Sequence, residues 1–309
     1  MALSPDLVCM GEPLIEFSQR KEGDGKTWSQ GFGGDTSNAA IAAARQGASA
    51  GYVTGIGADP FGDLFLRLWR EEAVDTREVR RNADAFTGVN FISYDEHGHH
   101  FSYIRKGSAA SLLAADAALL TYVAAAKILH VSGISQAISG TARDCVTAAI
   151  KAARSAGRQT SYDTNLRLRL WPLETAREVI HLAVAQCDIA LPSLDDSIQL
   201  TGLEVPDRIV DFYLGLGPSL VALKMGERGA IVATRDERQR LPPIEVSSVD
   251  ATGAGDAFDG SFLARLLAGD DPFTAGRYAN AAAALSTTGY GAVGAIPRPE
   301  AVRKLLTRS

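Results

Sequence analysis

The segment from Ser248 to Asp259 reads SVDATGAGDAFD, with two acids, Asp250 and Asp256, flanking the small residues Gly253, Ala254 and Gly255. Small side chains permit a tight turn and let a ligand approach the backbone. A helix starting near Gly253 aims the free N–H groups of its first turn at one spot, where the helix dipole also favours negative charge. That spot suits a phosphoryl group in transfer, whose charge spreads over its oxygens. Asp256, on the same turn, is placed to accept a proton from an attacking hydroxyl. The plainer reading is a Gly-rich helix start whose acid complements the dipole, and a dipole of that sense holds Asp256 strongly acidic.

Three further stretches carry candidate chemistry. SLVALKMGERGAIVA reads as strand, Lys224, a turn with Gly226 and Gly229, and a second strand. It is either a plain hairpin or a bare turn that admits a nucleotide beside Lys224. In GGDTSN, Gly33 and Gly34 leave room for a hydroxyl-rich ligand, and Asp35 and Asn38 offer hydrogen bonds; Asp35 is also a candidate helix cap. Tyr103 and Arg105 share one strand face by their i, i+2 spacing. Arg167 follows the strand-like QTSYD, so two guanidinium groups converging at one end of a sheet would grip a carboxylate. The alternative is that these arginines are solvated surface charges.

The elements that must position these residues are legible as an alternation. DLVCMG, AGYVTGIG, KILHVSG, QTSYD, DIALP and SLVALKMG look like buried strands, each followed by a helical pattern. Asp59-Pro60 opens one helix, and Ser139 to Ala156 forms another that stops at Gly157. This pattern predicts an α/β fold with a doubly wound, mostly parallel sheet and helices on both faces. PLIEFSQRKEGDGKTWSQGFGG and AFTGVNFISYDEHGHHFSYIRKGS read as hairpins, predicted to build a small β-sheet lid from inserts at about 13–33 and 86–107.

The 309 residues, 46% apolar and 22% charged, describe an ordinary globular chain, expected to form a single domain over 1–309. A net charge of −5 with no basic block argues against a nucleic-acid partner. The apolar stretch from Ala114 to Val131 is broken by Asp116 and Lys127, so no membrane span is expected. With no signal peptide and only Cys9, Cys145 and Cys187, far apart, a cytoplasmic protein with reduced thiols is expected. GDGKT lacks the first glycine of a phosphate-binding loop, because position 20 is Arg, and GIGADP ends its glycine pattern on Pro60. His97, His99 and His100 read as turn decoration, and His130 and His181 as structural.

DATGAGDAF resembles the second signature of the ribokinase-like, PfkB-type carbohydrate kinases, and GGDTSNAAIAAARQG resembles the first. The resemblance covers nearly the whole chain. GEPLIEF, RKGSAA, HVSGIS and YDTNLRLRLW are further similar to the 2-keto-3-deoxygluconate kinase branch. What the resemblance implies is ATP-dependent phosphorylation of the terminal hydroxyl of a small-molecule sugar acid. Asp256 is then the base and Gly253, Ala254 and Gly255 the anion hole. Asp250 supports that loop, in a region that can hold a monovalent cation such as K⁺. Lys224, Gly226, Gly229 and Asn280 surround ATP; Gly33, Gly34, Asp35, Asn38, Tyr103, Arg105 and Arg167 hold the acceptor. Where many relatives carry N-x-x-E, LPSLDD offers Ser193 for a phosphate and Asp196 for a water on Mg²⁺. A neutral-sugar kinase, a non-catalytic binding protein and, less favoured, a hydride-transfer enzyme are the alternatives. A lid with an apolar outer face predicts a homo-oligomer, at least a dimer.

Overall fold

The computed structural model describes residues 4–19, 26–95 and 98–307. Residues 23–25 of GDGKT and His97 lie outside them. Period-two alternation builds the main layer. Leu7 and Cys9 face one side and Val8 and Met10 the other; Leu220 and Ala222 alternate in the same way with Val221 and Leu223, and all eight are buried. Strands buried on both faces belong to a parallel sheet.

The six predicted runs become strands Leu7–Met10, Ala50–Gly57, Ile128–Ser132, Gln159–Asp163, Ile189–Ala190 and Leu220–Lys224. All pair in parallel, with Val79–Asn82 beside Ala50–Gly57 at one edge. Ala230–Thr234 and Arg238–Leu241 extend the other edge antiparallel, so a strand rather than the expected helix follows Leu220–Lys224, and this sheet has nine strands among the described residues. Helices Asp35–Arg45, Pro60–Glu71, Ala254–Leu267 and Pro272–Ser286 cover one face. Helices Ala117–Ala125, Gly140–Ser155, Leu173–Val184 and Pro206–Leu216 cover the other. Both predicted helix starts hold: Asp59 accepts from the N–H of Gly62 and Ser139 from that of Ala142. Among the described residues no helix is long and apolar enough to cross a membrane.

Strand order reverses at Leu7–Met10, whose neighbours are Ala50–Gly57 on one side and Ile128–Ser132 on the other. Open α/β sheets bind ligands at the carboxyl ends of the strands beside such a reversal. The small sheet has the order Trp28–Gly33, Leu14–Gln19, Val89–Asp95, Gly98–Ile104. Glu16 stands opposite Gly31 and Asn90, and Asn90 opposite Tyr103, so these residues form one row on one face. The other face is aromatic. Phe17 stacks on Phe91 at 5.5 Å, and Phe17 and Phe32 meet Phe61 and Phe65 of helix Pro60–Glu71. The chain's own helix therefore uses part of the apolar face on which the dimer expectation rests; Trp28 and Ile104 remain exposed.

One helix contact sets the site's geometry. A Cβ on Gly260 would lie 2.2 Å from the carbonyl oxygen of Ala39. Helices Ala254–Leu267 and Asp35–Arg45 thus pack backbone to backbone, at a distance only glycine allows.

Candidate active site

The 253–255 loop folds as its small residues require. Gly253 caps helix Ala254–Leu267 at φ 76°, and a side chain there would also strike Ala292. The N–H groups of Gly255 and Asp256 meet no acceptor among the described residues, and Gly255 is exposed. They form the open donor pair that an anion needs at a helix start. Asp250 supports the loop: its carboxylate accepts from the N–H and hydroxyl of Thr252, at 2.9 and 2.6 Å, and from the N–H of Gly291 at 2.9 Å.

Asp256, on the first turn, accepts from Nδ2 of Asn38 at 2.8 Å. Its carboxyl is raised to about 7, first by burial and then by the negative charge of Asp35 and, more weakly, of Asp163; Asn38 and Lys224 pull the other way. The helix dipole, expected to keep this group strongly acidic, loses to desolvation and like charge. The result is a carboxylate basic enough to take a proton near neutral pH.

Beneath the loop lies a buried triad. Lys224 ends its strand with Nζ 2.8 and 2.9 Å from the oxygens of Asp259 and 3.1 Å from Asp163. The two carboxylates hold the ammonium charged, outweighing its burial. Lys224 was expected beside phosphates; its described contacts are with these acids, although it stays close under Gly255. The sequence reading missed Asp163 and Asp259. Asp259 carried a signal: it lies three residues after Asp256 on a mostly apolar helix, so it shares the face of Asp256.

The acceptor side gathers Asp35, Asn38, Gly34 and Arg105 around residues not singled out beforehand. Gly34, not Asp35, precedes the helix as its cap; Asp35 is the first helical residue. Its two oxygens accept from the N–H of Thr36 at 2.8 Å and from Nδ2 of Asn165 at 3.0 Å. Gly33 ends a small-sheet strand opposite Leu14. Arg105 pairs with the fully buried Glu12 and lies over the ring of Tyr103 at 5.1 Å. Arg167 is exposed and donates to the carbonyl of Leu166 at 2.8 Å. Asn38 Oδ1, Thr164 Oγ1 and Arg105 Nε are buried without a protein partner among the described residues, which leaves them open to a water or a ligand.

The expected nucleotide residues are more scattered. Gly226 opens a single 3₁₀ turn after Lys224, Gly229 follows it, and the flanking strands are antiparallel, so the segment folds as a hairpin, whose bare turn remains compatible with a nucleotide. Asn280, on helix Pro272–Ser286, donates to the carbonyl of Pro242 at 2.9 Å. Ser193 caps helix Leu194–Thr201, and Asp196 accepts from the N–H of Leu166 at 3.1 Å. Among the described residues no cluster of His, Cys, Asp or Glu can hold a metal by itself. His130 is buried beside Ser161, and burial pushes it down to about 4, so it is neutral near pH 7.

Comparison with known proteins follows the same lines. The model of the pfkB family carbohydrate kinases matches residues 4–299. Fructokinase-2 of Oryza sativa subsp. japonica is 32% identical, covering 100% of this chain and 96% of that protein. The 2-dehydro-3-deoxygluconokinase of Bacillus subtilis is also 32% identical, over 98% of this chain and 95% of that protein. A solved fructokinase double mutant of Vibrio cholerae O395, in its fructose, ADP and potassium ion bound form, superposes with a TM-score of 0.87 at 27% identity, covering 99% and 100% of the two chains. With a family match across almost its whole length and relatives that agree end to end, this chain belongs to the pfkB family of carbohydrate kinases.

Proposed function

We propose that this kinase transfers the γ-phosphoryl group of ATP to the terminal hydroxyl of 2-keto-3-deoxygluconate. The observation that carries the reading is a pair of guanidinium groups, Arg105 and Arg167, on the acceptor side, one with a buried Nε that has no partner. A keto sugar acid supplies the carboxylate such donors fit. The Bacillus relative with the corresponding name supports it.

Asp35 and Asn38 hold the acceptor's hydroxyls on helix Asp35–Arg45. Asp256 orients the terminal hydroxyl and takes its proton as the new O–P bond forms. The N–H groups of Gly255 and Asp256 receive the charge on the moving phosphoryl oxygens. ATP would supply that phosphoryl group, held by Lys224, Ser193, Gly226, Gly229 and Asn280, and Mg²⁺, with Asp196 supporting it through water, would neutralise charge on the phosphates and leave it with the departing ADP. The carboxylate of Asp250 organises the loop's base, where K⁺ would add positive charge. The small sheet closes over the acceptor as a lid, with Tyr103 and Arg105 excluding water.

One observation favours a second reading. Glu12 already neutralises Arg105, and a neutral ketose such as fructose needs no free cation. A coupled ATP-consumption screen over sugar acids and neutral sugars separates the two. The expected outcome is the highest kcat/KM for 2-keto-3-deoxygluconate; a preference for fructose over every sugar acid would establish the second reading instead.

The same assay over pH tests the base. Asp256 must be ionised to act, and its carboxyl titrates at about 7. kcat/KM is therefore expected to fall about tenfold per pH unit below that value and to level off above it. A flat profile from pH 5 to 8 would remove a carboxyl with this environment from the mechanism.

A further inference from the structure

We infer that Glu12 is a specificity-determining residue, an internal carboxylate that competes with an acceptor's carboxylate for Arg105 and so lowers the preference for acidic over neutral sugars. The inference rests on the acceptor site proposed above. Glu12 follows strand Leu7–Met10, at the reversal of strand order, and its side chain is fully buried. One oxygen accepts from Nη2 of Arg105, and the other lies 3.4 Å from the hydroxyl of Ser108. Arg105 reaches it from just beyond strand Gly98–Ile104 of the small sheet, so the pair bridges the two sheets.

Glu12 engages Arg105 through Nη2 alone, and the buried Nε–H has no partner. Arg105 thus keeps a donor for a second acceptor, and a buried donor left unpaired is costly. Its charge, however, is already spent on Glu12. A sugar acid entering the site meets donors with little net positive charge and the further negative charge of Asp35. A neutral hydroxyl meets the same donors and loses nothing. Burial pushes the Glu12 carboxyl up, Arg105 pulls it down and Asp35 adds to the rise, with a net upward direction, so Glu12 depends on Arg105 to stay ionised. Removing the charge of Glu12 while keeping its shape leaves Arg105 in place with its attraction for anions unmasked.

The test compares 2-keto-3-deoxygluconate with fructose. Dissociation constants come from calorimetry in the presence of ADP, and kcat/KM from the coupled assay. Glu12→Gln is expected to raise the preference for the acid about tenfold, the usual scale of one charge-assisted pair. Arg105→Gln alone leaves Glu12 facing the acceptor and should lower that preference about tenfold or more. Arg105→Gln combined with Glu12→Gln should return it to within roughly threefold of wild type, since both charges are gone. The last comparison decides the matter even if Glu12→Gln alone does not fold. An acid preference equal in Arg105→Gln and in the double variant would overturn the role of Glu12 and leave the acceptor reading intact. A wild type that binds neither compound overturns that reading, and this inference with it.

Discussion

Asp256→Asn is expected to fold, to bind ATP and to turn over roughly 10²–10⁴-fold more slowly than wild type, the usual contribution of a positioned general base. Asn keeps the shape and the contact to Asn38 but cannot take the hydroxyl proton. The same substitution should stabilise the protein. In the folded chain the Asp256 carboxyl is raised from 3.8 to about 7, so ionising it at neutral pH opposes folding. The folded state binds this proton more tightly than the unfolded chain does, so wild-type stability declines as pH rises between those two values. Asn removes that decline. The gain in urea midpoint should be full above about pH 7 and vanish near pH 4. Slow turnover with no gain in stability at pH 8 would mean that Asp256 is the base without being electrostatically stressed. Near-wild-type turnover would remove it from the mechanism.

Lys224→Met should have the largest effect on stability. It leaves the carboxylates of Asp163 and Asp259 buried without their cation, and breaking a buried pair from one side costs roughly 3–5 kcal/mol. The pH dependence identifies the cause. Orphaned carboxylates titrate above their unfolded values, so the loss is complete at pH 8 and shrinks as falling pH protonates them. Wild-type Lys224, held charged by its partners, contributes throughout this range. Urea unfolding at pH 5 and pH 8 reads the difference directly. Equal destabilisation at both values would assign the effect to packing. The base should respond as well, because Lys224 holds the Asp256 carboxyl down, and its loss moves the acid limb of the rate profile upward.

Local patterns in the chain were the legible part of this molecule. Alternation in LVCM and LVAL located strands buried on both faces, and the small residues before Asp256 located a helix start with open N–H groups. Both are properties of a few consecutive residues. The environment of Asp256 was not legible, because it is made by charges distant in sequence. Burial first, and then Asp35 and Asp163 at the ends of other elements, reverse the effect expected from the helix dipole. Glu12 and Arg105 are 93 residues apart and meet only because the small sheet lies over the reversal of strand order. Lys224 looked like a phosphate ligand because lysine beside a glycine turn at a strand's end suits one. Its carboxylate partners, on a different strand and on a helix, come from tertiary structure.

Gly260 has a consequence for how such an enzyme can diverge. Its missing side chain seats the helix bearing Asp256 on the backbone of the helix bearing Asp35 and Asn38. Asp256 and the residues proposed to hold hydroxyls therefore share one stiff foundation, while Tyr103 and Arg105 stand on a separate sheet. On the proposed mechanism, mutations that accumulate on that sheet alter which molecule is admitted without shifting the atoms that would exchange the proton. A lineage can recruit new sugars by rewriting the cover and inherit the transfer machinery unaltered.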